Sequence, residues 1–401
     1  MRALVFERKV LRYGAARISS IRKAGRGAVY GPLSLVDDLK HMSLPGPDWQ
    51  RIRPLLAGIC GSDLATVDGR SSRYFETIVS LPFTPGHEVV GELDDGRRVV
   101  IEPVLGCATR GITPPCVQCA AGKLGRCERI AFGSLKPGLQ SGFCCETGGG
   151  WSTSMVAHRS QIHAVPSEFS DEDAVMIEPA ACALHAALSP GSLGGPDGGS
   201  IAAVIGAGTL GLLTTAALHT FNPATHLVVA AKHPEQQRFA KQFGATSVVD
   251  PSALVRGVRT LSKSLAIGDG GIERLTGGAD VVFDCVGNDA SITQALRITR
   301  PGGRIVLVGM PASVTVDLTP LWHREITLVG AYAYGEEPMF ANRRTFELAI
   351  ELVGHLNLGC LVSATYPLDH YEDAIDHAAN AGSRGAVKIA FDMRAEKARN
   401  R

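Results

Sequence analysis

The apolar positions change rhythm half-way along the chain. In the first half they come in short runs. Val89-Val90 and Val99-Val100-Ile101 are β-type stretches bounded by Gly and Pro, with Asp94-Asp95-Gly96 as the turn between them. After the Gly/Pro-rich stretch Ser189–Gly199 the apolar runs alternate with segments of helical spacing. The pattern predicts strands at 202–205, 226–230, 279–285 and 304–308. It predicts helices at 209–219, at 234–243 (stopped by Gly244) and at 290–298. Strand and helix alternating at this pitch build a doubly wound parallel sheet, so the fold class is α/β. Residues 256–271 are longer than a connection in such a sheet requires. Past Tyr334 the regularity fades, leaving a helix at 346–353, a last strand at 386–390 and a polar, fraying tail at 394–401.

One stretch imitates a membrane span, because Ile201–Leu218 carries no charge. Gly206, Gly208 and Gly211 interrupt it between a β-branched start and an Ala/Leu-rich end, which fits a buried strand, a turn and a buried helix. The 401 residues favour two or three domains. The formal net charge of +1 gives no sign of a nucleic acid or an acidic membrane surface as partner. Four of the ten cysteines lie within Cys107–Cys127, and the first residues lack an apolar signal core. Clustered cysteines without an export signal read as metal ligands in a reducing compartment, so the expected location is cytoplasmic.

Cys60, His87, Glu88 and Glu178 are the candidate catalytic metal set. A thiolate, an imidazole and carboxylates hold Zn²⁺ while leaving one position open. The third protein ligand is Glu88, Glu178 or another thiolate, and Asp63 and Glu102 are candidates for orienting the ligands. Each residue alone fits a buried structural role equally well; the flanking strings decide. In Cys60-Gly61-Ser62-Asp63, Pro85-Gly86-His87-Glu88 and Ile177-Glu178-Pro179 the chain resembles the zinc-dependent medium-chain dehydrogenase/reductase (alcohol dehydrogenase) family, in its polyol, threonine and glucose dehydrogenase-like branch. The resemblance spans nearly the whole chain. It implies a GroES-like β-barrel catalytic domain, residues 1–197 completed by 336–401, with a Rossmann domain at 198–335 inserted between them. It also implies Cys60, His87 and one of the two glutamates as zinc ligands, and a homo-oligomer, since relatives are commonly dimers or tetramers. Ser62, two residues past the ligand, is placed to accept the alcohol's proton. Ala65 stands where many relatives carry a relay histidine, so the proton leaves by Thr66, ribose hydroxyls or water.

Cys116, Cys119 and Cys127 follow a Cys-x₂-Cys-x₇-Cys spacing, with Cys107 upstream. Four thiolates satisfy tetrahedral Zn²⁺, so this second site is closed and structural. Residues Ala108–Pro115 widen the gap after Cys107 relative to the family, which leaves Cys144-Cys145 as the alternative source of the fourth ligand. In the dinucleotide turn, Gly206, Gly208 and Gly211 with Thr209 and Leu210 between them place a pyrophosphate on a helix N-terminus. Val286, in Asp284-Cys285-Val286-Gly287, runs beside the cofactor in the family. The acid that binds a ribose 2′-hydroxyl in NAD enzymes is replaced by Ala231, with Lys232, His233 and Arg238 following, which predicts NADP(H) over NAD(H).

The activity expected is hydride transfer between a nicotinamide and the CH–OH group of an alcohol, polyol or sugar, acting on a small alcohol or its carbonyl product. A zinc-free quinone or enone reductase of the same superfamily is the alternative enzyme, but it would lack the Cys60/His87/Glu88 set. A catalytically silent dinucleotide-binding protein is the non-enzymatic alternative, and it would have no use for that set with Ser62. Tyr74, Phe75, Trp151 and Trp322 are candidate pocket aromatics and select no substrate.

Overall fold

The computed structural model describes residues 1–193, 199–269 and 272–396. Part of the Gly/Pro-rich stretch and the end of the polar tail lie outside the described residues. The chain divides into two compact units, residues 1–178 with 353–401, and residues 179–352. The limits expected at 198 and 335 both fall inside the second unit. The chain leaves and re-enters the first unit within two helices, Ile177–Leu188 and Thr345–Leu356. Pro179 stands at the first division and Gly354 beside the second, each inside its helix.

The first unit is organised by its longest strand, Trp49–Gly58. One edge pairs antiparallel with Val89–Leu93. The other edge is shared: Met155–His158 pairs with Trp49–Ile52, and Lys388–Asp392 pairs with Leu56–Gly58. Pro54 lacks an amide donor, and the register shifts between Pro54 and Leu56, which separates the two halves. Arg98–Ile101 and Ile162–Ala164 extend the sheet on one side and Val362–Tyr366 on the other. Ile52, Ala57, Val89, Ile101 and Phe391 alternate into the core under the sheet. Trp151 belongs to that core rather than to a pocket. It is fully buried, packs edge-on against Phe391 at 5.0 Å and donates its indole N–H to the Gly58 carbonyl at 3.2 Å. A feature absent from the strand-and-turn pattern expected here is a helix, Val10–Arg22, standing between the paired strands Ala3–Phe6 and Leu33–Val36.

The second unit is a six-stranded, wholly parallel sheet. Its order is Ser247–Val249, His226–Ala230, Ile201–Ile205, Ala279–Asp284, Thr299–Leu307 and Thr327–Gly330. The order reverses between Ile201–Ile205 and Ala279–Asp284, and ligands bind such sheets at that switch point. The uncharged run resolves into a fully buried strand, a turn and the helix Thr209–Phe221. Among the described residues no helix is long and apolar enough to cross a membrane. The surplus at 256–271 is used by a helix, Leu254–Ser262, seated through Leu254 and Val258, and by a hairpin of Ala266–Asp269 with Ile272–Leu275.

Candidate metal centre and dinucleotide site

Cys60 lies two residues past the long strand Trp49–Gly58 and caps the helix Gly61–Val67, which is why the Cys-Gly-Ser-Asp spacing matters. Asp63, one turn in, accepts the Cys60 amide at 3.0 Å and so fixes the thiol's direction. Cys60, His87 and Glu88 bring their ligand atoms within 4.8 Å of one another. Asp63 Oδ1 faces His87 Nδ1 at 3.5 Å, which leaves Nε2 for a metal, and Ser62 Oγ lies 3.4 Å from that Nε2. Burial opposes charge on His87, but the Asp63 carboxylate and Cys60 outweigh it and hold its pKa well above the usual imidazole value. Of the buried polar atoms here, His87 Nδ1 and Asp63 Oδ1 face each other, and Glu88 Oε2 is met by the Lys388 ammonium. A thiolate, an imidazole nitrogen and a carboxylate brought this close together are ligand types that zinc takes while keeping one position open. The donor set fits Zn²⁺. Glu178 is buried but stands outside the three-residue group; Glu102 pairs with His163 at 2.8 Å.

The second cysteine cluster closes on Cys107, Cys116, Cys119 and Cys127. Cys107 and Cys127 Sγ are 3.8 Å apart, and backbone amides point at the sulfurs: Cys116 N to Cys107, Cys119 N to Cys116 and Arg129 N to Cys127. Burial raises the Cys116 pKa, but the amides of Cys119 and Glu128 outweigh it and bring the thiol down to about 7. Cys144 is engaged elsewhere, with Ser80 Oγ and the Lys136 carbonyl, so the wider Cys107 gap is bridged without it.

In the second unit, Gly206 has φ +90°, and a Cβ on Gly211 would lie 1.8 Å from the Gly206 carbonyl. Only glycine permits this turn into the helix. Thr209 and Leu210 open that helix after Gly208. Asp284, fully buried, accepts the amides of Val286 and Gly287 and the Ser291 hydroxyl, fixing the neighbouring turn so that Val286 lies against Gly206. Between the turns lies a cavity of about 660 Å³ lined by Gly206, Gly208, Lys232, His233, Val286 and, unforeseen from the sequence, Arg297. Ala231 is buried beneath it. Arg238 does not line this cavity; its guanidinium is paired along its own helix with Glu235 and Gln242.

Residues 46–167 match the alcohol dehydrogenase GroES-like domain, and residues 209–354 match the zinc-binding dehydrogenase family. The chain belongs to the zinc-binding alcohol dehydrogenase family. Among curated relatives of this dehydrogenase, the L-idonate 5-dehydrogenase of Vitis vinifera is 28% identical, over 87% of this chain and 89% of that protein. The sorbitol dehydrogenase of Bacillus subtilis is also 28% identical, over 85% and 90%. A solved Sinorhizobium meliloti structure bound to NADP is 26% identical, with a TM-score of 0.67 over 90% of this chain and 95% of its own.

One residue of the candidate metal centre is not foreseen from the sequence. Lys388 Nζ pairs with Glu88 Oε2 and donates to the Ile59 carbonyl at 3.2 Å, with both side chains 2% exposed. Burial disfavours the ammonium, yet Glu88, Cys60 and Glu178 together raise its pKa above the ordinary lysine value. Gly58 makes the room, since a Cβ there would lie 1.9 Å from Glu88 Oε2. The signal was a lone cation in the apolar run Ala386-Val387-Lys388-Ile389-Ala390. Arg110, also unforeseen, is buried in the cysteine lobe. It donates to the carbonyls of Leu105, Phe132, Leu135, Lys136 and Gly138.

Proposed function

We propose that this protein is a zinc-dependent polyol dehydrogenase that exchanges hydride between nicotinamide C4 and the CH–OH carbon of a polyol or sugar, with NADP(H) preferred. The observation that carries the proposal is the convergence of Cys60, His87 and Glu88 within 4.8 Å of one another, with Ser62 alongside. Cys60, His87 and one of Glu88 and Glu178 would hold the catalytic zinc, and Cys107, Cys116, Cys119 and Cys127 a second, structural one. When bound at the open site, zinc lowers the pKa of an alcohol. Ser62 Oγ then takes the alcohol's proton as hydride leaves the carbon. Thr66 Oγ1 bonds the Ser62 carbonyl at 2.9 Å and the Ser71 hydroxyl at 2.9 Å. That leaves ribose hydroxyls or water as the proton's exit from Ser62.

Relatives named for idonate and sorbitol support the polyol class. NADP(H) preference is supported by Ala231, which offers no carboxylate to a ribose, and by Lys232 and His233 on the cavity wall. A partly exposed lysine–phosphate contact gives on the order of 1–2 kcal/mol, roughly tenfold discrimination. The test is a screen of polyols, aldoses, amino alcohols and aromatic alcohols with both cofactors on fully metallated protein. A polyol with NADP⁺ should give the highest kcat/KM, and Ala231→Asp should swing preference toward NAD⁺. Turnover of no alcohol with either cofactor would leave the silent dinucleotide binder as the better reading.

A further inference from the structure

The strands Ala3–Phe6 and Leu33–Val36 end opposite each other, Phe6 against Leu33, so a tight hairpin would join them. Residues 7–32 intervene instead, ahead of the residues matched to the alcohol dehydrogenase family. They carry the helix Val10–Arg22, which is oriented with its small side inward. Ala16 and Ser20 are buried, and Ser20 Oγ bonds the Asp68 carbonyl at 3.1 Å. Asp68, fully buried, also accepts the amides of Gly25 and Gly27, so the segment is tied down at its far end.

The large apolar residues face solvent: Leu11 is 91% exposed, Ile21 81%, Val10 77% and Ile18 68%. At 3.6 residues per turn these four fall in an arc of about 100°, bordered by Arg17 on one side and Arg22 on the other. Arg8, Arg12 and Arg26 add to the charge, while Lys9 and Lys23 are paired with Glu7 and Asp376, and no acid stands between Glu7 and Asp37 in the chain. Glu76, within electrostatic reach of Tyr13, is already paired with Arg73. The formal net charge of +1 conceals this local excess because it averages over the whole chain.

We propose that this helix docks the protein on an anionic lipid surface, lying in the interface with its apolar arc among the acyl chains and its arginines on the phosphates. A helix with basic borders and aliphatic residues outward has the composition of an interfacial helix. A second copy is disfavoured as occupant, since a two-fold contact would set this cationic patch against itself. An acidic protein partner is disfavoured because the arc of Val10, Leu11, Ile18 and Ile21 carries no aromatic anchor.

The test is co-sedimentation of the metallated protein with vesicles of phosphatidylcholine alone and of a roughly 2:1 mixture with phosphatidylglycerol. The wild type should pellet with the mixture, not with phosphatidylcholine, and less as salt rises. Leu11→Ser/Ile21→Ser, at exposed positions, should lower the bound fraction roughly tenfold with unchanged circular dichroism and zinc content. Arg17→Ser/Arg22→Ser should lower it as well, and most at low salt. Three outcomes overturn the proposal. One is no binding to the anionic vesicles, or binding that neither variant weakens. Another is light scattering that shows Leu11→Ser/Ile21→Ser dissociating a wild-type oligomer, which makes the face a self-interface. The last is binding of poly-glutamate as tight as vesicle binding and equally sensitive to both variants, which makes the partner a polypeptide.

Discussion

The chemistry at the metal centre depends on how single buried charges are arranged. Glu88 is a carboxylate with almost no solvent, and Lys388 is the cation that makes its charge tolerable there. Removing one partner of such a pair costs about 3–5 kcal/mol, because the other charge remains buried and uncompensated. Lys388→Met should therefore destabilise the protein strongly, and more without metal than with it, since zinc at Cys60 and His87 gives Glu88 a second cation. Thermal unfolding of the metal-free and zinc-loaded forms checks this; an equal fall in both would mean that Glu88 and the metal do not communicate. In the proposed mechanism Ser62 acts on the reaction rather than on the fold. Ser62→Ala should lower turnover by ~10²-fold, the scale of losing a positioned acid–base group, with zinc content unchanged. Steady-state rates across pH, with chemistry shown to limit them, would expose Ser62 as a mere turn residue if they did not fall. The two residues also differ in legibility. Ser62 stands within a four-residue string whose spacing is set by a helix cap, so local sequence reveals it. Lys388 meets Glu88 from the opposite end of the chain, through the pairing of the last strand with the first long one, and no local pattern reports that.

Elements were legible where their buried face was continuous. The three strands Ile201–Ile205, His226–Ala230 and Ala279–Asp284 of the parallel sheet are largely buried and read as apolar runs, so they were visible with nearly correct ends. The helix Val10–Arg22 was missed for the opposite reason: its apolar side faces outward and its inward side is Ala16 and Ser20, so a search for a core-facing stripe finds nothing to anchor. The cysteine lobe is a third case. Its ligands were visible by spacing, but its irregular loops gave no hint of what holds them. Arg110 does so, spreading one guanidinium over five carbonyls between Leu105 and Gly138. Its charge also suits the site, since Zn²⁺ with four thiolates carries a net negative charge and Arg110 feels Cys107, Cys127 and Cys144. Arg110→Leu leaves those carbonyls without a donor, at a cost of at least about 3 kcal/mol. Proteolysis should then cut first within residues 129–138. Arg110→Lys keeps the charge but lacks the fork, so it should restore little of the protection. Full protection in the lysine variant would mean that charge, not the fan of hydrogen bonds, holds the lobe.

At the scale of the whole molecule, the first unit carries two clusters of metal donors that differ in kind, and this difference is measurable. Cys60, His87 and Glu88 are mixed donors, and a dehydrogenase needs one coordination position left open for its substrate. An open position admits a chelator, which removes metal by stepwise ligand exchange. The four cysteines form a closed set, mostly buried, with backbone amides already aimed at three of the sulfurs. A chelator has no vacant position to enter there, and structural sites of this kind contribute about 10–16 kcal/mol of folding free energy in small zinc peptides. The fully loaded protein should therefore hold two zinc ions per chain that leave in order. Incubation with 1,10-phenanthroline should remove the first together with all activity, while circular dichroism and the thermal transition persist. The second should leave only when a mercurial titrates the thiols, and the segment Cys107–Cys127 should become protease-sensitive at that point. Elemental analysis against time, with activity followed in parallel, reads both steps. Loss of both ions at one rate, or loss of the thiolate-bound ion before activity falls, would break the assignment of an open catalytic site and a closed structural one.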